Sequence, residues 1–363
     1  MKSRRITMLQ VAGTYIGTIV GAGFASGQEM LQFFVGFGSM GLWGLLVVTL
    51  LFIFFGYIIM ELGFKLKASS HLPVVRETGG RILGTFSDGV ITFFLFGALT
   101  AMLAGSGALF SQEYHIHPII GSLFMAVITL VTVLGGFQEI INSISIVVPF
   151  LILSAVGVSI ASLLMGSGTA LAEVRLPPSG FLRNWLWSAI IYTSYNSVTA
   201  IAILAPLGYA AEDRRMMRNG AILGGLGLGL GAVAIYFALR VHFHSIKDVE
   251  VPMIMVAGRI SPFVRGIYGV VLLAEIYTTA VGNLYGFAAR LCGEAMHKTG
   301  SYAYDPTTRK HKKRASLVIL GSTFAAFIAS LAGFSNLVKY LYPFIGYCGL
   351  ITLLCLVYHR YKS

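Results

Sequence analysis

The stretch "YIGTIVGAGFASGQEM", residues 15–30, decides how this chain is to be read. It belongs to an apolar run, yet it carries Gly17, Gly21, Gly23 and Gly27 and then Gln28 and Glu29. Each glycine costs a helix about 1 kcal/mol relative to alanine, and a charge near mid-membrane costs about 2.5–3.5 kcal/mol on insertion scales. A segment that keeps both has a use for an interrupted helix. The spacing of four between Gly13, Gly17 and Gly21 fits close packing of membrane helices, which accounts for Gly13 and part of Gly17. It gives no reason for Gly21, Gly23 and Gly27 to be followed by an acid.

The surroundings of this stretch make it transmembrane. The 363 residues are 56% hydrophobic and 11% charged, with a mean hydropathy of +0.81, a mix that cannot solvate a globular surface. The basic start "MKSRR" and the small residues of "GAGFASG" imitate a signal peptide. Because apolar spans recur to the C-terminus, the first one is expected to stay as a membrane helix. Spans of about 20 residues begin near Ile6, Met40, Leu83, Pro118, Phe137, Asn184, Asn219, Ser261, Ala315 and Asn336. The expected fold is an all-α integral membrane protein of about ten helices in one domain, residues 1–363, since lipid-exposed backbone must satisfy its own hydrogen bonds.

Charge and cysteine usage set the partners. The net charge of +12 falls mostly in short loops, where it sets orientation, and no groove-reading module accompanies it. Nucleic acid is therefore excluded as a partner, and the lipid bilayer takes its place. With the N-terminus inside, 19 of the 26 Lys and Arg residues lie on the inner side, so both termini are expected to be cytoplasmic, in the plasma membrane. The cluster "RKHKKR" at 309–314 would meet anionic headgroups. Cys292, Cys348 and Cys355 have no paired spacing and suggest packing rather than a disulfide or zinc site. The pairs "HIH" and "HFH" offer too few ligands for a metal, and no nucleophile–base arrangement argues for an enzyme.

Spans 1, 2 and 3 and spans 6, 7 and 8 are offset by about 178 residues. Five spans per half is an odd number, so the second half would enter from the opposite side, a 5+5 inverted repeat of about 6–165 and about 184–358. Both first spans carry helix-weakening residues: "GAGFASGQE" in span 1 and "TSYNS", residues 193–197, in span 6. Ser, Thr and Asn compete for neighbouring backbone groups, so both helices 1 and 6 are expected to unwind mid-membrane. Freed N–H groups suit a carboxylate and freed carbonyls a cation. The run "GGLGLGLG" from Gly224 has no polar company and reads as helix packing.

"GTIVGAGFASGQE", the ten spans and "YTSYNS" resemble the YkvI-like membrane proteins, a group similar to the amino acid-polyamine-organocation (APC) superfamily with the LeuT fold. The resemblance implies a solute site at the break in helix 1, Gly21, Ala22, Gly23, Phe24, Ala25, Ser26 and Gly27, with the amides of Ala22 and Gly23 toward a carboxylate. It implies a sodium site from the carbonyls of Gly17 and Val20, completed by span 8. Tyr192 and Tyr195 could close over the solute, while Ser194, Asn196 and Ser197 offer donors and acceptors.

Span 8, "GVVLLAEIYTTAVGNLYGF", places Glu275, Thr278 and Thr279 on one helical face. The LeuT pattern fits it in two registers, Ala274 with Tyr277 and Thr278, or Glu275 with Thr278 and Thr279. Glu29, Glu275 and Asn283 are candidates for gating or proton handling, since intramembrane acids carry protons in many pumps and transporters. Proton-coupled relatives can place a lysine on span 5 instead of sodium. None occurs in "INSISIVVPFLILSAVGVSIASLL", which favours sodium, with the proton as the alternative. The expected function is cation-coupled symport of an amino acid or related small organic solute, carboxylate-bearing, by alternating access and with no cofactor beyond the coupling ion. A channel and a solute sensor on the same scaffold are the rivals.

Overall fold

The structure is a computed structural model that describes residues 7–68, 70–135, 150, 153–165, 180–211, 213–292 and 309–362. The described residues hold helices and no strand. In chain order these are α1 (Met8–Ile19), α2 (Ala22–Ala25), α3 (Gln28–Phe33), α4 (Met40–Lys65), α5 (His71–Tyr114) and α6 (Pro118–Gly135). After α7 (Leu153–Met165) come α8 (Trp185–Ala210), α9 (Arg214–Val241), α10 (Pro252–Ile260), α11 (Pro262–Cys292), α12 (Arg309–Ser330) and α13 (Phe334–Lys362). Among them α4, α5, α8, α9, α11 and α13 are individually long and apolar enough to cross a bilayer. The expected start of the fifth span at Phe137 and the side chains of the 309–314 cluster lie outside the described residues.

The helix starts follow the sequence. Thr7 and Gln10 form a reciprocal capping box on α1, and the Asn184 and Asp213 side chains accept N–H bonds at the starts of α8 and α9. The third span begins earlier than Leu83, because α5 extends back to His71 through a sharp turn at Gly80, where φ is 63°.

α9 is the packing spine, and its glycines explain why. A Cβ at Gly220, Gly224 or Gly227 would strike Val11, Tyr15 or Ile16 of α1, and one at Gly225 would strike Ile53 of α4. Two glycine stripes thus seat two helices, as expected for that run. Gly13 is different: it is exposed and a Cβ there would meet nothing within 4 Å, so its expected packing role is corrected. The buried face of α1 is the opposite one, Val11, Ala12, Tyr15 and Ile19.

Helix contacts come in exchanging pairs. α4 packs on α8 while α1 packs on α9; α5 packs on α6 while α11 packs on α12; α12 reaches α5 while α6 reaches α11. Numbered as spans, each pair interchanges when span 1 is swapped with 6, 2 with 7, and so on, which is the pattern an inverted repeat generates. Arg360 of α13 bonds Glu61 near the end of α4, and Met8 and Val11 approach Gly220 near the start of α9. The described ends of the chain therefore share one side of the bundle, called here the terminal side.

Candidate functional site

The first span breaks where its glycines and acid predict. α1 stops at Val20, whose ψ is 106°, Gly21 is extended, and α2 begins at Ala22. A second break follows at Gly27, whose φ of 80° is left-handed and glycine-favouring. The first break leaves the leading N–H groups of α2 without helical partners.

Span 6 corrects the expectation, since α8 runs unbroken from Trp185 to Ala210 through residues 193–197. The polar side chains that were to compete with the helix instead return bonds to it: Thr193 donates to the Ala189 carbonyl at 2.9 Å and Asn196 to that of Tyr192 at 3.0 Å. Such i−4 back-bonding leaves the helical ladder intact, and no glycine precedes Gly208 in this helix. Ser194 points away from the break, donating to the Gly346 carbonyl of α13 at 2.7 Å. It is a packing residue. Ser197 is buried and its hydroxyl has no partner.

Glu29 is the centre of the site. The turn at Gly27 folds α3 so that the Glu29 carboxylate lies against Gly23, where an added Cβ would overlap it. Tyr192 donates to its Oε2 at 3.1 Å. The Tyr195 hydroxyl stands near the same carboxylate but completes no well-formed hydrogen bond, and Tyr342 of α13 packs its ring against Tyr195. Ring centroids are 5.4 Å apart for Tyr192 and Tyr195 and 5.1 Å for Tyr195 and Tyr342. Phe33, Phe34 and Phe52 back Tyr192, and Phe94 backs Tyr195 and Tyr342. Glu29 is 5% exposed, and no basic side chain among the described residues pairs with it. Glu29 thus lies at the break itself.

The rest of the expected solute segment closes the side opposite the terminal one. Tyr268 of α11 donates to the Ala25 carbonyl, Met253 N–H of α10 to that of Ser26 at 2.9 Å, and Gln28 Nε2 to Ser335 Oγ at 2.6 Å. Ser26 turns its hydroxyl onto the Gly23 carbonyl, and Phe24 packs its ring beside Gly231 of α9. Glu250, in the loop before α10, accepts the Ser335 N–H; burial pushes its carboxyl above the usual range. Ala22 is buried, whereas Gly21 is half-exposed and a Cβ there would meet nothing within 4 Å.

Gly21 continues a strip on α1. Gln10, Gly13 and Thr14 are exposed and Gly17 and Thr18 half-exposed along one helical face, bordered by Leu9, which is 72% exposed one turn before Gly13. The lipid-type face of α4 looks different, with Trp43, Leu46, Leu50 and Phe54 exposed.

The second polar centre lies on α11. Glu275 and Thr278 are buried, Thr278 donates to the Glu275 carbonyl and Thr279 to Glu275 Oε1, each at 3.1 Å. Glu275 Oε2 is buried without a partner, and no basic residue among the described residues offsets it. Of the two registers, Tyr277 belongs elsewhere, its hydroxyl bonded to Thr132 of α6 at 2.8 Å. Ala274 is half-buried, and Asn283 is half-buried two turns farther on. α11 packs on α2, whereas α1, with Gly17, packs on α9 and α8; Val20 caps its end and is buried.

Several residues here carry no sequence signal: Phe33, Tyr268 and Tyr342 are apolar-run aromatics like many others. Asp88 also gains a place, shared between His71 and Arg290 where α5 meets α11 on the terminal side.

This architecture is that of the LeuT-fold membrane transporters. The chain aligns with a substrate-bound, outward-open Na+-coupled sialic acid symporter at a TM-score of 0.66 and 14% identity, over 97% of this chain and 79% of that one. It aligns equally with MhsT in complex with L-phenylalanine, at a TM-score of 0.66 and 15% identity, covering 98% and 90%. In sequence it is similar to the membrane protein YkvI of Bacillus subtilis (strain 168), 29% identical over 373 aligned positions that cover 100% of both chains. It is also similar to YyaD of the same organism, 28% identical over 96% of this chain and 95% of that one. No family model matches.

Proposed function

We propose that the chain is a secondary active transporter that moves a small organic solute through the break in the first helix, driven by an inorganic cation at Glu275. The observation that carries this is Glu275 itself, a buried carboxylate with one unpartnered oxygen, two threonine hydroxyls on the same face and, among the described residues, no cationic side chain to neutralise it. An ionised group so placed requires a counter-ion, and hard oxygens suit sodium. In this reading the Gly17 and Val20 carbonyls approach Thr278 and Thr279 when α1 closes on α11. The LeuT fold and the sodium-coupled neighbour support sodium; proton loading of Glu275 is the second reading, favoured by the same lack of a counter-charge.

The solute class that the APC resemblance supports is an amino acid or related compound. The halves of about 6–165 and about 184–358 act as the two repeats, the terminal side is cytoplasmic, and the membrane is the plasma membrane, as the Lys and Arg distribution favours. Ala25, Ser26 and Gln28 are bonded to α11, α10 and α13 on the far side while Gly21 is half-exposed, which supports reading this conformation as inward-facing.

The test is thermal stability of the purified protein in sodium against potassium, with solute uptake into proteoliposomes under each gradient. A ligand of the folded state raises Tm by linkage. Sodium-dependent stabilisation with saturable uptake supports the proposal. Equal behaviour in both salts with uptake driven by a pH gradient transfers the role to the proton, unsaturable conductance marks a channel, and binding without uptake marks a sensor.

A further inference from the structure

The unbalanced charge at Glu29 differs in its neighbours from that at Glu275, and the difference specifies what each can hold. Sodium needs several oxygens at once, and Glu275 has threonine hydroxyls and a carbonyl beside it. Glu29 has rings: Tyr192 bonds it, Tyr195 packs against Tyr192 and Tyr342 against Tyr195, with four phenylalanines behind. A carboxylate joined to aromatic rings is the combination that binds an organic ammonium, through a charge-assisted bond on one side and cation–π attraction on the other.

A second observation excludes the opposite charge. In the family pattern the amides beside Gly23 await the carboxylate of the solute, but here the protein's own Glu29 carboxylate lies on Gly23, closer than a Cβ could tolerate. A carboxylate arriving at those amides meets a like charge in a site of low dielectric. The Tyr195 hydroxyl, buried and unpartnered, adds a polar atom free to take one of the ammonium hydrogens.

We infer that Glu29 is the counter-ion of an ammonium group on the transported solute, held between its carboxylate and the rings of Tyr192, Tyr195 and Tyr342, so that the solute is an amine without a carboxylate at the helix break. This rests on the transport reading above and replaces its amino-acid solute with an amine.

The test uses the full chain in detergent, at one pH and ionic strength in potassium chloride, with n-butylammonium, tetramethylammonium, butyrate and norleucine as probes. The ammonium probes are expected to raise Tm in a saturable way and butyrate to leave it unchanged, while Glu29→Gln weakens n-butylammonium at least about tenfold. Where Glu29→Gln does not fold, Tyr195→Leu takes its place, removing a ring and leaving the carboxylate; it too is expected to weaken both ammonium probes. Stabilisation by butyrate or norleucine but not by n-butylammonium overturns the inference, as does an unchanged ammonium shift in the substituted protein or none in the wild type. Counterflow of radiolabelled probe in proteoliposomes separates the two claims. Ammonium binding without counterflow upholds Glu29 and defeats transport; counterflow of butyrate alone upholds transport and defeats the ammonium site.

Discussion

Glu29 and Glu275 are the same chemical group at similar burial, 5% and 3% exposed, and they are built into the bundle in opposite ways. Glu29 sits on a six-residue helix just after the second break of its span and borrows its neighbours from α8 and α13. Glu275 sits in the middle of an unbroken 31-residue helix and takes its hydroxyls from the next turn of that helix. One charge is assembled from distant parts and moves when they move. The other is local and persists through any rigid-body motion. That is the division expected when a solute must gate the motion and an ion must bind on a fixed wall.

The comparison is broken most severely at Glu275. Glu275→Gln is expected to abolish the sodium dependence of Tm and uptake, a loss of about 1.5–3 kcal/mol or more in ion affinity, as for hydrogen bonds to charged groups; sodium titration of Tm checks it, and retained dependence removes the ion from this helix. Next in size is Gly23→Ala. Its Cβ collides with the Glu29 carboxylate, an overpacking of about 1–3 kcal/mol, so solute affinity should fall about ten- to hundredfold and Tm should fall even without solute. Gly21→Ala sharpens the point, because its Cβ meets nothing: Tm without solute should stay within about 1 °C, with any effect confined to solute affinity.

Tyr192→Phe comes third. It keeps the ring and removes one bond to Glu29, about 1 kcal/mol or fivefold in solute affinity, with the sodium titration unmoved. The smallest effect on binding belongs to Ser194→Ala. Its hydroxyl serves the Gly346 carbonyl, so stability should drop by about 1 kcal/mol while solute and sodium affinities hold; a shift in solute affinity would return Ser194 to the binding site.

Legibility in the sequence followed the range of the interactions. The break at Val20 and Gly21 was readable because glycines and an acid within nine residues have no other use in an apolar run. The Glu275, Thr278 and Thr279 cluster was readable because helical spacing alone brings it together. Span 6 misled because Ser, Thr and Asn either break a helix or bond back onto it, and the deciding contacts, such as Ser194 with Gly346, are 152 residues apart. The ring cage was invisible for the same reason, since Tyr342 enters it from the last helix. Gly13 misled because a spacing of four marks a face without saying what covers it.

The double break in the first span also bears on how the protein is made. α1 has 12 residues, about 18 Å of helix, too short for a hydrocarbon core of about 30 Å. The rest of the crossing is tied in by Met253, Tyr268 and Ser335, with Ser188 and Tyr192 bonding α3. Ser335 lies 307 residues after Gln28, which at a synthesis rate of about 5–20 residues per second is a delay of about 15–60 s. The broken span is therefore completed only after α13 has been made, and it depends on the insertion machinery or its earlier neighbours to hold it until then.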